Sequence, residues 1–350
     1  MPQTKVKQIA KKTKGAVKKK SRLFYTSTRL LSKNFLKTIL FLLTRPLARV
    51  IIYTGSLHSF MFRKLRKAKA NKKFLINLGG KNIFLKTSDN RKIDAMFFNN
   101  TQIYPDKQYF TEETRPTVLF CLGNSSLYEN CKDMICFYLT KGVNVMVFNY
   151  GGYGQSEGSP SVFSTYKDIE AAYDYIKKQH RTADRNIIVH GFSIGGGPAT
   201  YLASKYPVNL VLDRTYSSLG NIAGGFIGKI INYLYPYDNI KKISSVKGEI
   251  HIVEAVKDEV MAHHHTKSLF NEIIRSRHPD AHGEEIEALK STYITIIPST
   301  HTDCWLSNHL DVYSHERNSF SKKVIPSFKQ PSPKTNFISK LWKKLNFFSN

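Results

Sequence analysis

The residues best placed to do chemistry are Gly191-Phe192-Ser193-Ile194-Gly195-Gly196, a G-x-S-x-G run. It follows the β-branched strand pattern of 186–190 (NIIVH) and precedes a helical pattern, Pro198 to Lys205. In that setting the run predicts a strand-to-helix turn so tight that the serine backbone is strained and neighbouring side chains would clash, hence the flanking glycines. The turn lifts Ser193 Oγ to the sheet edge and aims a helix N-terminus at it. It also sets the Ile194 N–H as a donor to a developing oxyanion. The chemistry implied is attack by an activated hydroxyl.

A hydroxyl needs a base, and the base needs an orienting carboxylate, both supplied from later strand ends in the order Ser, Asp/Glu, His. Asp258 follows the strand pattern 249–254 (EIHIVE), and His301 is the one histidine immediately beyond the last strand pattern, 292–297 (TYITII). The order therefore makes His301 the base and Asp258 its acid. Asp213 also ends a strand pattern, 208–213 (VNLVLD), and stands as the alternative acid.

Other reactive residue types do not assemble in the same way. Consecutive side chains on a helix point about 100° apart, so His263, His264 and His265 cannot converge on one ion. Pro279 interrupts the helix that would pair His278 with His282. Cys121, Cys131, Cys136 and Cys304 are too irregularly spaced for a disulfide framework or a zinc knuckle, which suits a reducing compartment. No metal and no cofactor is expected. His190, under the serine turn, reads as a hydrogen-bonded core residue, and Cys304 as a buried neighbour of the site without a base of its own.

The scaffold is written in short apolar runs bounded by turn residues. Lys81 to Phe98 reads as a hairpin around Ser88-Asp89-Asn90; further strands are expected at 117–122, 143–150, 186–190, 208–213, 249–254 and 292–297. Thr165 and Asp168 read as a capping box, with Ile169, Ala172, Tyr173 and Ile176 at core-facing helical spacing. Alternating strand and helix predicts an α/β fold, a mostly parallel central sheet with helices on both faces and its site at the carboxyl ends of the strands. Two insertions stand apart. Residues 214–248, apolar and rich in small residues, predict a small helical cap whose Phe226, Ile230 and Tyr233 contact a hydrophobic substrate; 275–291 reads as a charged surface segment.

Charge divides the 350 residues into three parts. There are 53 Lys and Arg against 26 Asp and Glu, a net +27, and 23 of the basic residues precede the first acidic one, Asp89. After Glu316 the chain has Arg317 and seven lysines and no acid. The expected organisation is a membrane-associating extension over 1–73, a catalytic body over 74–316 and a basic tail over 317–350. Residues 29–44 (RLLSKNFLKTILFLLT) set Arg29, Lys33 and Lys37 on one helical stripe among leucines and isoleucine, the layout of a helix lying in a membrane interface. The tail segment 337–348 (FISKLWKKLNFF) repeats it. A spanning helix needs about 20 apolar residues, and the charge-free runs are shorter. The expected partner is an anionic membrane surface rather than nucleic acid, since the aromatics accompany aliphatic runs instead of standing as stacking platforms. There is no signal-peptide pattern, Pro2 stands where N-myristoylation needs glycine, and no cysteine precedes Cys121. The reading is a cytoplasmic, peripherally or monotopically held protein, or one exported to act on another cell's membranes.

Over roughly residues 75–310 the chain resembles the α/β-hydrolase family, in its membrane-associated, protein-depalmitoylase-like branch. Asn149-Tyr150-Gly151-Gly152-Tyr153-Gly154-Gln155-Ser156-Glu157-Gly158 is similar to that branch's D-Y-x-G-Y-G-x-S-x-G loop, and His301-Thr302-Asp303 to its H-N-D. Leu122-Gly123-Asn124 occupies the position of H-G-N, which implies that the Asn124 N–H partners that of Ile194 in an oxyanion hole. The chain departs at Leu122, where the branch has His, and at Glu254-Ala255-Val256-Lys257-Asp258, where it has H-G-x-x-D. The resemblance implies a serine hydrolase cleaving acyl ester or thioester bonds of a lipid or lipidated protein. A peptidase on the same triad, or a membrane-binding protein that kept the fold without catalysis, are the alternatives.

Overall fold

The continuous apolar runs become strands buried on both faces, which forces helices onto each side of the sheet. The computed structural model describes residues 53, 62–103, 110–111, 114–303, 306 and 314–325. These all lie in the second of two units into which the chain divides, Tyr53–Asn350; the first is Met1–Ile52. The segments 29–44 and 337–348, and Cys304, lie outside the described residues.

The strands are β1 (Gly80–Lys86), β2 (Lys92–Phe98), β3 (Thr117–Cys121), β4 (Asn144–Phe148), β5 (Ile187–Phe192), β6 (Asn209–Asp213), β7 (Ile250–Lys257) and β8 (Ile294–Thr300). The helices are α1 (Phe62–Asn77), α2 (Asn100–Ile103), α3 (Lys132–Thr140), α4 (Val162–His180), α5 (Gly196–Lys205), α6 (Leu219–Ala223), α7 (Gly225–Leu234), α8 (Asn239–Ile243), α9 (His263–Arg277), α10 (Glu284–Tyr293) and α11 (Ser314–Val324). One eight-stranded sheet runs in the order β1-β2-β4-β3-β5-β6-β7-β8. The β1–β2 and β2–β4 pairs are antiparallel and the rest parallel. The expected hairpin, strand set and mostly parallel sheet are all present.

Side-chain alternation along β5 shows both faces covered. Gly191 faces α5, where a β-carbon would come 2.7 Å from Ala199 Cβ. Its neighbour His190 points the other way, toward Tyr138 of α3 and Phe320 of α11. On the α5 face, Tyr166 of α4 stacks on Tyr201 at 3.9 Å.

Helix α4 begins earlier than its sequence pattern suggests. Ser161 is the N-cap, accepting from Ser164 N at 3.0 Å, while Ser164 Oγ accepts from Ser161 N at 2.7 Å. Thr165 and Asp168, expected to cap it, are instead buried one turn in. Thr165 Oγ1 bonds Val162 O and the Tyr237 hydroxyl, and Asp168 takes the Gly151 N–H and the Arg91 guanidinium. Tertiary partners outcompete local capping because both side chains are enclosed.

Helix α1 runs across the boundary drawn at residue 73. Its Lys72 reaches the fully buried Asp94 of β2 at 3.0 Å, and Leu75 is fully buried. Earlier in the chain, Tyr53 is buried with its hydroxyl donating to that of Tyr237 at 3.3 Å. Among the described residues no helix is long and apolar enough to cross a membrane.

Candidate active site

At the carboxyl end of β5 the chain turns directly into α5, and Ser193 sits in that turn at φ 52°, a left-handed conformation that a serine adopts only under constraint. The constraint is crowding. A β-carbon on Gly191 would meet the Gly195 carbonyl oxygen at 2.6 Å, and one on Gly195 would run into the Cys121 carbonyl oxygen of β3. Only glycine lets β3, the turn and α5 approach this closely.

The structure brings Ser193, His301 and Asp258 together. His301 Nε2 lies 3.0 Å from Ser193 Oγ, and His301 Nδ1 lies 2.9 Å from Asp258 Oδ2. Ser193 and His301 are each 7% exposed. The other oxygen of Asp258 accepts from Val260 N at 2.9 Å and Met261 N at 2.6 Å, so the loop after β7 curls around the carboxylate and fixes it. Burial works against the Asp258 charge, but the His301 bond and the two amides outweigh it and hold the group below the usual carboxylate range.

The alternative acid goes elsewhere. Asp213, at the end of β6, receives Arg214 Nε at 2.8 Å and Nη2 at 3.2 Å, and His190 Nε2 lies 3.3 Å away. Burial opposes its charge too; Arg214 and then His190 overcome this and depress it. His190 is thereby bonded on both sides, its Nδ1 being 2.8 Å from the Tyr138 hydroxyl.

Arg214 is the residue that sequence reasoning missed. It is buried with φ 47°, and its Nη1 donates to the carbonyls of Thr300 (3.2 Å), His301 (2.9 Å) and Asp303 (2.8 Å). The guanidinium also lies 4.7 Å from the centre of the Phe192 ring, whose other neighbour is the His301 imidazole, stacked at 5.5 Å and 27°. One side chain thus holds the backbone that carries the base. The available signal was an Arg directly after a strand-terminal Asp, a pair that needs burial to matter.

The oxyanion side is braced by the glycine- and tyrosine-rich loop. Tyr150 OH donates to Leu122 O at 3.0 Å, and Tyr153 OH to Asn124 Oδ1 at 3.3 Å. Gly123 passes so close that a β-carbon there would sit 3.6 Å from Ser193 Cβ. Neither the Ile194 nor the Asn124 N–H donates to a protein acceptor among the described residues. Leu122, standing where the family motif has His, contributes its carbonyl to Tyr150 and is itself fully buried.

Against Phe192 and Gly123 lies a cavity of about 170 Å³ lined by apolar Phe120, Met134 and Leu306 and by polar Ser126, Asn130, Asp213, Arg214, Thr302 and Asp303; Ser193 and His301 are not among its lining residues. Phe226, Ile230 and Tyr233 do not line it; they are exposed on α7, Phe226 at 76%. The inward positions of the α6–α7 hairpin are small or polar. Gly220 and Gly228 pack backbone to backbone, and Asn232 accepts from Gly220 N at 2.7 Å and donates to Ser218 Oγ at 3.2 Å. The histidine run divides as helical geometry requires. His263 meets Glu254, while His265 is buried against Ser217, where burial pulls its pKa down to about 4.

A family model described as alpha/beta hydrolase fold matches residues 116–215, which span β3 to the start of the cap. Among relatives, alpha/beta hydrolase domain-containing protein WAV2 of Arabidopsis thaliana is 27% identical over 72% of this chain and 81% of its own length. Alpha/beta hydrolase domain-containing protein 17B of Homo sapiens is 28% identical over 59% of this chain and 72% of its length, and 17C of Xenopus tropicalis 31% identical over 47% of this chain. The chain spans about half the length of the last, 54%. A solved structure of the Pyrococcus furiosus esterase Pf2001 shares the fold at 18% identity, covering 72% of this chain and 93% of that one with a TM-score of 0.52.

Proposed function

From the α/β-hydrolase fold and the similarity to alpha/beta hydrolase domain-containing proteins, we propose that the chain is a serine hydrolase cleaving acyl ester or thioester bonds of a hydrophobic substrate at a membrane surface. The observation that carries the reading is the chain of contacts from Ser193 Oγ through His301 to Asp258, at 3.0 and 2.9 Å, built on a serine held at φ 52°. Ser193 Oγ attacks the acyl carbonyl carbon as His301 Nε2 takes its proton. Asp258, ionised throughout the neutral range, orients the ring and stabilises the imidazolium. The oxyanion of the tetrahedral intermediate accepts from the Ile194 and Asn124 N–H groups, backed by the N-terminus of α5. His301 then protonates the departing alcohol or thiol, leaving an acyl-serine. Water repeats the sequence and releases the acid.

An acyl substrate is favoured by the apolar surface that Phe120, Met134, Phe192 and Leu306 offer in the cavity against Phe192, beside polar Ser126, Asn130 and Thr302, with its two carboxylates, Asp213 and Asp303, engaged in hydrogen bonds. A membrane setting is favoured by the wholly basic, apolar-interleaved extension before Asp89 and the basic tail after Glu316. The test is turnover of p-nitrophenyl esters and acyl thioesters of graded chain length beside a peptide panel. The reading expects ester and thioester cleavage that strengthens with chain length. Cleavage confined to peptides would make the protein a peptidase, and no turnover of any substrate by folded protein would leave a membrane-binding role for the fold.

A further inference from the structure

The α6–α7 hairpin turns its large apolar side chains to the outside. Ile222, Phe226, Ile227, Ile230 and Tyr233 are 42%, 76%, 65%, 38% and 47% exposed. Between Leu219 and Leu234 the only charged residue is Lys229. At the tip, Gly224 and Gly225 have φ of 67° and 54° with nothing within 4 Å of a built β-carbon, so the turn projects freely from the body. Because Gly220 rests on Gly228 and Asn232 ties Gly220 to Ser218, the inner side is already satisfied and the apolar residues have no inward place to go. Five large apolar side chains exposed together on one short hairpin mark an interaction site.

We infer that this hairpin is a second membrane contact, inserting its apolar tip among the headgroups and acyl chains of an anionic bilayer beside the active site. Charge chooses the occupant. Lys229 sits within the patch, Lys241 is exposed at its base and neutralises the nearest acid, Asp238, and the same chain carries 23 Lys and Arg before its first acidic residue. A second copy of the chain would set Lys229 against its own kind, whereas anionic headgroups complement it. Position supplies the function. The hairpin leaves the sheet at the carboxyl end of β6, where Asp213 pairs in register with Phe192, the residue before Ser193, and Thr215 and Tyr216 at its root bond the Ser193 and Ile194 carbonyls. Seating the tip in lipid holds the nucleophile at the depth where an acyl linkage meets water. This rests on the acyl-hydrolase reading of the site.

The test uses the full chain with Phe226→Trp and both native tryptophans, Trp305 and Trp342, replaced by Phe, on vesicles of phosphatidylcholine with and without phosphatidylserine. Emission from the added tryptophan is expected to shift to the blue on anionic vesicles and to be quenched by lipids brominated near the headgroup. Ile222→Ser combined with Ile227→Ser is expected to weaken vesicle partition about tenfold, with fluorophosphonate labelling of Ser193 in lipid-free buffer unchanged. Vesicle binding with water-like emission at position 226 would overturn the inference, as would a blue shift that tracks protein concentration without lipid. So would a double variant that partitions normally but loses affinity for soluble long-chain esters, since the hairpin would then be an acyl cover. Absence of Ser193 labelling in wild type would defeat the hydrolase reading and leave the emission result standing.

Discussion

β6 ends on Asp213 and the loop after β7 begins with Asp258, the same residue type at the close of two adjacent strands, yet the two do different work. Asp258 stands in a loop whose own amides at 260 and 261 saturate one carboxylate oxygen and leave the other for His301. Asp213 is followed by Arg214, which takes both its oxygens and passes the constraint on to three carbonyls around His301. One carboxylate orients the base by touching its ring. The other positions it through the backbone, with an arginine as intermediary. The neighbours of a strand end decide its role, and the type of the residue alone does not.

That contrast can be broken at four places. Asp258→Asn should cost about 10³ to 10⁴-fold in kcat, because the amide no longer stabilises the imidazolium or fixes its tautomer; a fall no larger than that of Asp213→Asn would erase the distinction between the two ends. Arg214→Lys keeps the charge but loses the fork that reaches several carbonyls, so kcat should fall on the order of 10²-fold with KM little changed. A rise in KM alone would mean that Arg214 binds substrate instead of holding the loop.

Asp213→Asn acts first on stability. Leaving the buried Arg214 without its partner should cost about 3 to 5 kcal/mol, read from denaturant unfolding, while each folded molecule keeps activity within about tenfold of wild type. The sign of the pH dependence follows from the depressed Asp213 value: its contribution is complete above the unfolded carboxylate pKa of about 4 and drains away as pH falls below that toward the folded value. Wild type should therefore lose stability on acidification where the Asn variant is flatter. Asp168 acts in the opposite sense, because burial raises it to about 6 against the pull of Arg91, so the comparison has to be made between the two proteins at each pH. The smallest effect is expected from Phe192→Leu, about threefold in kcat, since it removes only the ring between Arg214 and His301.

Much of this was legible in the chain because strand ends punctuate it. Ser193, Asp258 and His301 each stand at the close of an apolar run, and a parallel sheet brings such ends to one edge. Asp258 was preferred to Asp213 from the sequence, but what sends Asp213 elsewhere was not legible, because it turns on the curl of residues 258–261 and on burial of Arg214. Residues 214–248 showed an apolar, small-residue-rich composition suited to a cap, but composition cannot say whether Phe226, Ile230 and Tyr233 look inward. The counter-signal was Gly220, Gly228 and Asn232, small and polar residues at the spacing that packs the hairpin against itself. Thr165 and Asp168 fit a capping pattern by type, while Ser161 and Ser164, a turn earlier, make the bonds. Local patterns give the residue types that suit a role, and tertiary partners assign it.

Activation of Ser193 by His301 and Asp258 can be read by reacting the full chain with a fluorophosphonate and mapping the adduct by mass spectrometry, in wild type, Ser193→Ala and Asp258→Asn. A single adduct on Ser193 is expected, with none in Ser193→Ala and labelling slowed by orders of magnitude in Asp258→Asn. An adduct on another residue, or folded wild type that takes up no label, would contradict that activation.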